Sequence, residues 1–152
     1  MEMRDATEGD LELLTEGLLN VRMIEKRPIK DIPVTGPDVD SFRKGIEERT
    51  IRVIDDEKGR GAAFVYYRTD MPIPYVHGSF LWIDIIYVRE EHRGKGYGTA
   101  LYEEMVDTAG KMGLDRIVID IFNANERSKV FHSDLDFIPF YTIYIKDVIS
   151  KK

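Results

Sequence analysis

The junction between a strand-like run and a helix-like run reads Val88-Arg89-Glu90-Glu91-His92-Arg93-Gly94-Lys95-Gly96-Tyr97-Gly98-Thr99. Three glycines at alternating positions allow backbone N–H groups to converge, because no Cβ interferes. A helix that begins at this point adds the partial positive charge of its N-terminus. This combination is typical of a phosphate or pyrophosphate site, and the alternative is a glycine-rich turn that binds no ligand.

The spacing of these glycines excludes two common nucleotide motifs. A dinucleotide-binding loop needs G-x-G-x-x-G, but the third glycine of this chain, Gly98, comes one residue early. A nucleoside-triphosphate loop needs Gly-Lys followed by Ser or Thr, and Gly94-Lys95 is followed by Gly96. The loop therefore predicts a different phosphate-bearing ligand.

The segments on either side of the junction predict a parallel crossover. Ser79–Val88 is an apolar and aromatic run suited to a buried central strand. A helix is expected from about Gly96 to Met112, and Arg116–Ile121 again has the pattern of a strand. A strand, a glycine turn, a helix and a second strand form a parallel pair with a crossover connection.

Upstream of the junction, an antiparallel hairpin makes the predicted sheet mixed. Thr50–Ile54 and Gly61–Arg68 have strand patterns and flank a turn. The fold class is therefore α+β, or mixed α/β. The other expected elements are an edge strand in residues 1–5, a helix capped by Thr7, a helix opened by Pro37-Asp38, a helix over Asn125–Asp134, a last strand over Phe137–Lys146, and loops at Arg27–Asp38 and Met71–Gly78.

Length and composition fit a single soluble domain over residues 1–152. Hydrophobic residues make up 43% of the chain and charged residues 33%, which is ordinary for a globular protein. The absence of cysteine excludes disulfides, thiolate metal sites and a cysteine nucleophile, and it fits a reducing cytoplasm. No metal site is predicted, because the three histidines are scattered at His77, His92 and His132.

The formal net charge of −6 argues against a generic nucleic-acid binder, which needs a basic face to displace counterions. An acidic surface suits a cationic small molecule instead, because it attracts one. No apolar run approaches the length of a membrane-spanning helix, and Met1–Asp5 lacks the apolar stretch of a signal peptide. We therefore expect a cytoplasmic protein that acts on neither nucleic acid nor membrane.

Two motifs resemble those of the GNAT family of N-acetyltransferases. The family's acetyl-coenzyme A motif, Gln/Arg-x-x-Gly-x-Gly/Ala, is matched by Arg93-Gly94-Lys95-Gly96-Tyr97-Gly98. Its second motif, Asn-x-x-Ala/Ser-x-x-Phe/Leu-Tyr followed by an aromatic residue, resembles the segment from Asn125 to His132 with Phe137. The order of the helices also fits, so the resemblance covers nearly the whole chain. A looser likeness, to the polyamine acetyltransferases, rests on Asn-Glu-x-Ser and an acidic residue in the central strand.

The resemblance implies the acyl-coenzyme A N-acyltransferase fold, in which a mixed sheet contains a splayed strand pair. It also implies acetyl-coenzyme A as the cofactor, bound by a core at about residues 79–137. The backbone of Arg93–Thr99 would hold the pyrophosphate. The end of the central strand would lie against the pantetheine arm through Ile86, Tyr87 and Val88.

The same resemblance assigns three residues of the Asn125–Asp134 helix to the cofactor. Asn125 would contact the pantetheine, and Arg127 or Lys129 could reach the adenosine phosphates. The alternative for the two cations is a solvated helix face.

Two positions depart from the family pattern. His132 stands where the family has a tyrosine thought to protonate the leaving thiolate, and Asp136 stands where a glycine is usual. A histidine could still be the acid, since its ordinary pKa of about 6.5 leaves a protonated fraction near pH 7. The alternative is an exposed helix residue, with Tyr141, Tyr144 or water as the proton donor.

Asp84 is the second candidate catalytic residue. It is the one charged residue within the Phe80–Val88 run, where an unpaired carboxylate would be costly. Strict alternation would place it on the same strand face as Trp82, Ile86 and Val88. There it could accept a proton from an incoming ammonium group or bind its charge. The alternative is an aspartate bonded to the protein's own backbone or to an arginine.

The acceptor site is expected between two loops, Arg22–Asp38 and Met71–Gly78, as the resemblance implies. Carboxylates in and near these loops could attract a cation, and Tyr75 could form a wall. The alternative is that such charges only keep the loops soluble. The carboxylates are those of Glu25, Asp31, Asp38 and Asp70.

The expected activity is direct transfer of acetyl from acetyl-coenzyme A to a primary amine in a ternary complex, since no cysteine can form an acyl-enzyme. The acceptors left open are a polyamine, a peptide N-terminus or lysine, an aminoglycoside and a small metabolite, and the acidic charge favours a cationic small molecule. The alternatives are a non-catalytic acyl-coenzyme A sensor, prompted by His132, and a binder of another phosphate ligand. A homodimer is expected from the resemblance alone.

Overall fold

The structure is a computed structural model that describes residues 1–24, 38–146 and 148. Within these residues the strands are β1 Met3–Asp5, β2 Ile51–Asp55, β3 Gly61–Arg68, β4 Phe80–Val88 and β5 Arg116–Ile119. The helices are α1 Leu11–Ile24, α2 Val39–Glu48, α3 Tyr97–Lys111 and α4 Glu126–Asp134, with single 3₁₀ turns at Glu8–Asp10 and Glu90–His92.

The strands of the described residues form one mixed sheet in the order β1-β2-β3-β4-β5. The first three pairings are antiparallel, and β4 pairs with β5 in parallel. Because α3 connects β4 to β5, the predicted crossover and the mixed α/β class are confirmed. The predicted edge strand, hairpin and first helices are confirmed as well, with their bounds within a few residues.

Strands β4 and β5 run together over four residue pairs only. Their register extends from Phe80 opposite Arg116 to Ile83 opposite Ile119, after which β4 continues alone to Val88. The Arg89 N–H donates to the Ala62 carbonyl of the β3 side at 2.9 Å. Backbone groups alternate in direction along a strand, so those of Ile86 and Val88 face the edge that β5 has left.

A β-bulge interrupts the pairing of β3 with β4. Tyr66 lies opposite Ile85 and Tyr67 opposite Ile83, so Asp84 is an extra residue without a partner on β3. An extra residue shifts the phase of the alternating side chains. The expectation that Asp84 shares a face with Ile86 and Val88 is therefore wrong. Those two side chains pack on the same cluster as Leu81 and Ile83, on the α3 side of the sheet.

Each face of the sheet carries its own apolar core. On the α3 side, Leu101, Met105 and Ala109 pack against buried side chains of the sheet, so the predicted apolar face of this helix is confirmed. On the α2 side, the Phe42 ring contacts Phe64 and Tyr66 edge-on, with centroid distances of 6.4 and 6.1 Å. Edge-to-face contacts of this kind hold a helix at a defined position on a sheet.

The chain divides into two compact units, Met1–Asn20 with Pro37–Asp120 and Val21–Gly36 with Ile121–Lys152. The first contains the sheet, α2 and α3. The second contains α4, whose first turn is capped by Asn125, the Oδ1 atom of which accepts from the Ser128 N–H at 3.1 Å. A single domain over residues 1–152 stays a prediction.

The predicted last strand over Phe137–Lys146 is wrong, because the structure assigns no strand to residues 137–146. Most of their apolar side chains are exposed, Ile138 by 84% and Tyr144 by 92%, whereas Phe137 is half-buried against His132. An alternating pattern makes a strand only where a sheet edge supplies hydrogen bonds and a face to bury. The breaker-rich loop predicted at 27–38 falls outside the described residues except for Asp38.

Candidate functional site

The glycine loop between β4 and α3 has the backbone that its sequence predicts. Gly94 and Gly96 adopt left-handed conformations with φ of 73° and 89°, and Gly96 caps the N-terminus of α3. A Cβ added at Gly94 would meet nothing within 4 Å. Glycine is thus required here by backbone direction rather than by crowding. The open space beside Gly94 suits an anion, as do the first N–H groups of α3, which a helix leaves without a partner of its own.

Arg93 binds the open edge of β4. Its Nε donates to the Val88 carbonyl at 3.0 Å, and its guanidinium lies 5.9 Å from the centre of the Tyr87 ring. The Val88 carbonyl is the last backbone acceptor on the edge left by β5. A ligand that pairs with this edge as an added strand therefore has to displace the Arg93 side chain from Val88.

The Tyr87 side chain is hydrogen-bonded to α1. Its hydroxyl donates to Glu16 Oε1 at 2.9 Å, and Arg89 Nε donates to Glu16 Oε2 at 3.1 Å. Burial and the bond to Glu16 raise the pKa of Tyr87 to about 12. Tyr87 therefore differs from its neighbours Ile86 and Val88, whose backbone groups face the open edge.

A shallow cavity of about 610 Å³ extends from Gly96 and Thr99 along one face of α3. Three carboxylates line it, which makes its far end unfavourable for phosphate. Its lining residues are Met1, Met3, Gly96, Thr99, Ala100, Glu103, Glu104 and Asp107.

Asp84 lies on the α2 side of the sheet with a side chain that is 17% exposed. Its closest recorded cation is Arg68, whose Nη1 lies 4.0 Å from Asp84 Oδ2, too far for a hydrogen bond. Burial raises the pKa of Asp84, against the opposing effects of Arg68 and the Trp82 N–H. Trp82 Nε1 is buried without a hydrogen-bond partner among the described residues, so it acts on Asp84 as a nearby dipole.

Asp120 is a neighbour of Asp84 that the sequence argument missed. It follows Ile119, the last paired residue of β5, as Asp84 follows Ile83 in β4. Burial of its carboxyl group raises the pKa of Asp120 and the charge of Asp84 adds to this effect, although the residue as a whole is exposed, which weakens the effect of burial. The available signal was the same as for Asp84, a single carboxylate in the apolar run Ile117–Phe122.

A cleft of about 280 Å³ opens on the α2 side of the sheet, beside the residues that neighbour Asp84. Its walls carry both signs of charge, from Lys44 and Arg68 and from Glu48 and Asp70. Arg68 Nε donates to Asp70 Oδ1 at 3.2 Å, which places the predicted Asp70 at this cleft. The full lining is Ser41, Lys44, Glu48, Thr50, Tyr66, Tyr67, Arg68, Thr69 and Asp70.

The other predicted acceptor residues have different surroundings. The Asp38 carboxylate accepts from the Ser41 N–H at 2.8 Å, so it serves as the N-cap of α2. Tyr75 lies in the 71–78 loop and is 75% exposed. Glu25 and Asp31 lie outside the described residues.

In the second unit, His132 is buried, with only 2% of its surface exposed. The interpretation of an exposed helix residue is therefore wrong. Its Nδ1 lies 2.7 Å from the Ser128 carbonyl, so Nδ1 carries the proton and the neutral ring keeps a lone pair on Nε2. Nε2 is buried and has no partner among the described residues. Burial lowers the pKa of His132, so neutral imidazole is the resting form.

The cation candidates of α4 have ordinary surface positions. Lys129 Nζ lies 3.3 Å from Glu126 Oε1, one turn back on the helix, and Arg127 is exposed. An exposed pair at this spacing contributes little to stability. Both side chains are therefore able to turn toward a ligand.

No group of three or more His, Asp or Glu side chains in the described part of the chain is arranged to hold a metal ion. Among the same residues, no helix combines the length and apolarity needed to cross a bilayer.

Comparisons with known proteins show the family and the fold to which the chain is similar. The model of the acetyltransferase (GNAT) family matches residues 22–137. YwnH of Bacillus subtilis (strain 168), which carries the provisional name phosphinothricin acetyltransferase, is 30% identical over 130 residues, 84% of this chain and 78% of YwnH.

Two solved structures have the same fold. A mutant of the BH1408 protein from Bacillus halodurans superposes with a TM-score of 0.69 at 17% identity, over 98% of this chain and 100% of that one. The ribosomal-protein-alanine N-acetyltransferase from Brucella melitensis biovar Abortus 2308 superposes with a TM-score of 0.68 at 17% identity, over 97% and 99% of the two chains. At such identity the likeness concerns the fold alone.

Proposed function

The chain belongs to the acetyltransferase (GNAT) family and is an N-acetyltransferase, and from this premise we propose that it acetylates a primary amine on a small cationic molecule. The observation that carries the proposal is the position of Asp84, a largely buried carboxylate at the bulge where β4 parts from β5. A carboxylate at that place can bind an ammonium group and accept its proton. The acidic net charge supports a cationic acceptor, a class that includes the polyamines.

The glycine loop and the open edge of β4 fit acetyl-coenzyme A, the acetyl donor that the family uses. We assign the pyrophosphate to the backbone N–H groups of residues 93–99 and the pantetheine arm to the backbone of Ile86 and Val88. Arg93 would leave the Val88 carbonyl when the arm pairs there. When bound, acetyl-coenzyme A supplies a thioester whose carbonyl carbon is open to attack by an amine.

For the second unit, we assign three residues to the cofactor by the family resemblance. The Asn125 side chain uses its oxygen to cap α4, which leaves its amide NH₂ as a donor to the pantetheine. Arg127 and Lys129 are the proposed partners of the adenosine phosphates.

His132 is the proposed donor of a proton to the departing sulfur. It can act only in its cationic form, because Nδ1–H is bound to Ser128 and the neutral ring has no proton on Nε2. Because burial lowers the pKa of His132, the cationic form is a minor one at neutral pH, and it gives up its proton more readily than an exposed histidine does. Tyr141, Tyr144 and water are the alternative donors.

A second candidate acceptor is an amine that also carries an anionic group, as an amino acid does. The cleft beside Asp84 favours it, because Lys44 and Arg68 contribute cations to the walls. The provisional name of YwnH points to an amino-acid-like acceptor for that relative. Glu48 and Asp70 in the same walls favour the purely cationic acceptor, so the two classes need a direct comparison.

The rival function is a non-catalytic acyl-coenzyme A sensor, favoured by the neutral resting state of His132. To distinguish the two functions, purified protein is incubated with acetyl-coenzyme A and a panel of amines. Catalysis is detected as release of free thiol and by the mass of the acetylated amine. The panel comprises 1,4-diaminobutane, spermidine, lysine, phosphinothricin and a peptide with a free N-terminus. We expect turnover with the cationic amines. Tight binding of acetyl-coenzyme A without turnover of any amine would favour the sensor.

A further inference from the structure

We propose that His92 is a positioning residue for the acetyl donor: in its cationic form it binds Asp56 and holds the glycine loop in the shape that receives the pyrophosphate. The protein should then bind acetyl-coenzyme A more tightly as the pH falls. This inference deepens the proposed function and rests on it, because it takes the loop as the pyrophosphate site. His92 itself lies outside Arg93–Thr99, the residues assigned to that site.

His92 lies between two segments that are far apart in the sequence. It ends the 3₁₀ turn directly before the glycine loop. Its Nε2 lies 3.6 Å from Oδ2 of Asp56, the first residue of the turn 56–60 between β2 and β3. The centre of its ring lies 5.5 Å from that of Tyr97, the first residue of α3. One side chain therefore joins the β2–β3 turn to the glycine loop.

Asp56 is fixed in place by its own turn. Its Oδ1 accepts from the Lys58 N–H at 2.8 Å and from the Arg60 N–H at 3.0 Å. These bonds, that from Arg60 first, outweigh burial and hold the pKa of Asp56 below its ordinary value, and the charges of Arg60 and His92 add to them. Asp56 is therefore a carboxylate throughout the pH range in which a histidine titrates.

The second oxygen of Asp56 faces His92. The Asp56 side chain is only 7% exposed, and two basic groups lie near its Oδ2, His92 Nε2 at 3.6 Å and Arg60 Nε at 3.5 Å. Both distances are longer than a good hydrogen bond. The Arg60 side chain is exposed, whereas that of His92 is 14% exposed. Because a partly buried pair is screened less by salt and water, the charge of His92 is the more effective of the two.

Tyr97 transmits the contact from His92 to the loop. It follows Gly96, the left-handed cap of α3, and it packs on the apolar cluster of the α3 side. Aromatic rings at this separation prefer defined angles, and the rings of His92 and Tyr97 are tilted by 55°. A shift of the His92 ring therefore also shifts the residue that starts α3, together with the N–H groups assigned to the pyrophosphate.

The charged and titratable groups around His92 come from three segments. The β2–β3 turn contributes Asp56 and Arg60, and α3 contributes Tyr97. Its neighbours along the chain are Arg89, Glu90, Glu91 and Arg93. Of these, Arg89 is bonded to Glu16 and Arg93 to the Val88 carbonyl. Within the described residues, the ion pair recorded for His92 is the one with Asp56.

The sign of the pH effect follows from the charge of the imidazole. A histidine changes its charge between about pH 5 and 8. The cationic ring attracts the Asp56 carboxylate and closes the 3.6 Å gap, whereas the neutral ring lacks this attraction. If the cofactor binds the loop shape that the pair stabilises, a proton on His92 and the cofactor each favour the binding of the other. The affinity for acetyl-coenzyme A is then highest in weak acid and falls as His92 loses its proton.

The binding test uses two conservative variants of the full chain. His92→Phe keeps a ring against Tyr97 and removes the charge. Asp56→Asn also removes a charge, but it keeps an oxygen for the two N–H groups of its turn. At pH 6, calorimetry with acetyl-coenzyme A should give a Kd about fivefold higher in each variant than in the wild type, the lower end of coupling between two sites. At pH 8.5, where a histidine is neutral, each Kd should equal that of the wild type.

Glu57→Gln is the matched control, because it removes an exposed carboxylate from the same turn. Its Kd should equal that of the wild type at both pH values. A phosphate of the ligand itself titrates near pH 6, but this cancels in a ratio of Kd values measured at one pH. The double variant of His92 and Asp56 should lose no more than either single variant, since the two side chains act as one unit.

A purely structural role predicts a different result. If the Kd ratios do not change with pH, the proposal is overturned even when the variants melt at a lower temperature, because His92 would then only support the fold. If the wild type binds no acetyl-coenzyme A at either pH, the proposed function fails together with the loop assignment. If it binds and all the ratios stay at one, the role of His92 alone fails.

Hydrogen exchange tests the positioning without a ligand. At pH 6, the amides of residues 93–98 should exchange faster in Asp56→Asn than in the wild type, since the loop then opens more easily. Glu57→Gln should leave this exchange unchanged. Equal exchange in Asp56→Asn and the wild type would overturn the proposal, because any pH effect on binding would then be a direct attraction between the imidazolium and the phosphates.

Discussion

Asp84 reaches its position through one extra residue in β4. The bulge leaves it without a partner on β3 and turns it to the α2 side, where it lies near Tyr66 and Arg68. Bulges often redirect a side chain next to an active site. The largely buried carboxylate is then a stronger base than an exposed one, because burial raises its pKa.

Asp84→Asn should lower kcat by about 10²–10⁴-fold, the usual contribution of a general base. In the wild type, kcat/KM for the amine should fall as the pH drops through the raised pKa of Asp84, since a base must be deprotonated to act. The variant should lack this acidic limb. Rates from about pH 4.5 to 9 check the prediction, and a limb that persists in the variant would exclude Asp84 as the base.

His132→Gln should lower turnover and leave the affinity for acetyl-coenzyme A near that of the wild type. If His132 donates a proton, the wild-type rate must also fall as the pH rises through the lowered pKa of His132. The glutamine side chain also donates a hydrogen bond but does not titrate in this range, so the fall of the rate at alkaline pH should vanish in the variant. Turnover of the variant at the wild-type rate would transfer the role to Tyr141, Tyr144 or water.

At the scale of the element, the glycine loop and α3 form one unit. Gly96 ends the loop and caps the helix, so the same left-handed turn that closes the loop also starts α3. Arg93 ties the loop back to Val88 on β4. The strand edge, loop and helix start that are assigned to the cofactor are therefore contiguous in the structure.

Gly96→Val should abolish measurable binding of acetyl-coenzyme A, because its side chain would project where we assign the pyrophosphate. Valine is also strained at the left-handed φ of 89° that Gly96 adopts, so the substitution should lower the free energy of unfolding by about 1–2 kcal/mol. Gly59→Val is the matched control, since Gly59 has φ of 74° in the β2–β3 turn and open space around it. Calorimetry should show lost binding in the first variant alone. Equal affinities in the two variants would refute the assignment of the loop.

At the scale of the whole molecule, Arg4 ties the sheet edge to the start of the helical layer. Its guanidinium donates to Asp10 with two bonds of 2.8 Å and to Asp55 at 2.7 and 2.8 Å. Burial alone would raise the pKa of Asp10, but the bonds from Arg4 and the Thr7 N–H outweigh it and leave that pKa below 3.8. The network joins β1, β2 and the 3₁₀ turn before α1.

Arg4→Ala should lower the free energy of unfolding by about 2 kcal/mol, between the values for exposed and buried ion pairs. Stability from a lowered carboxyl pKa is present at neutral pH and is lost as the pH falls through 3.8 and below. The free energy of unfolding of the variant should therefore fall less steeply with decreasing pH than that of the wild type. Urea unfolding at several pH values checks both effects. Arg43→Ala, which removes only exposed 3.8 Å pairs, should change the free energy by less than about 0.5 kcal/mol.

The backbone of the loop that we assign to the cofactor was largely predictable, because its determinants are local. The left-handed turns at Gly94 and Gly96 follow from glycine in a strand-to-helix junction, and the crossover follows from the apolar runs around it. For the proposed acceptor side, the sequence predicted only the type of residue, a carboxylate, and not its position in the fold. Asp84 was identified by its charge in an apolar strand, but its face was predicted wrongly and its neighbour Asp120 was missed.

The sequence by itself determined the element order, the mixed sheet, the left-handed glycine loop and the family, since each depends on the spacing of residues close together in the chain. Tertiary structure alone decided the bulge at Asp84, the burial of His132 and the lack of strand structure in residues 137–146. These features depend on strand register and on the packing of segments distant in sequence, and a periodic pattern carries no information about which partner a strand or side chain will meet.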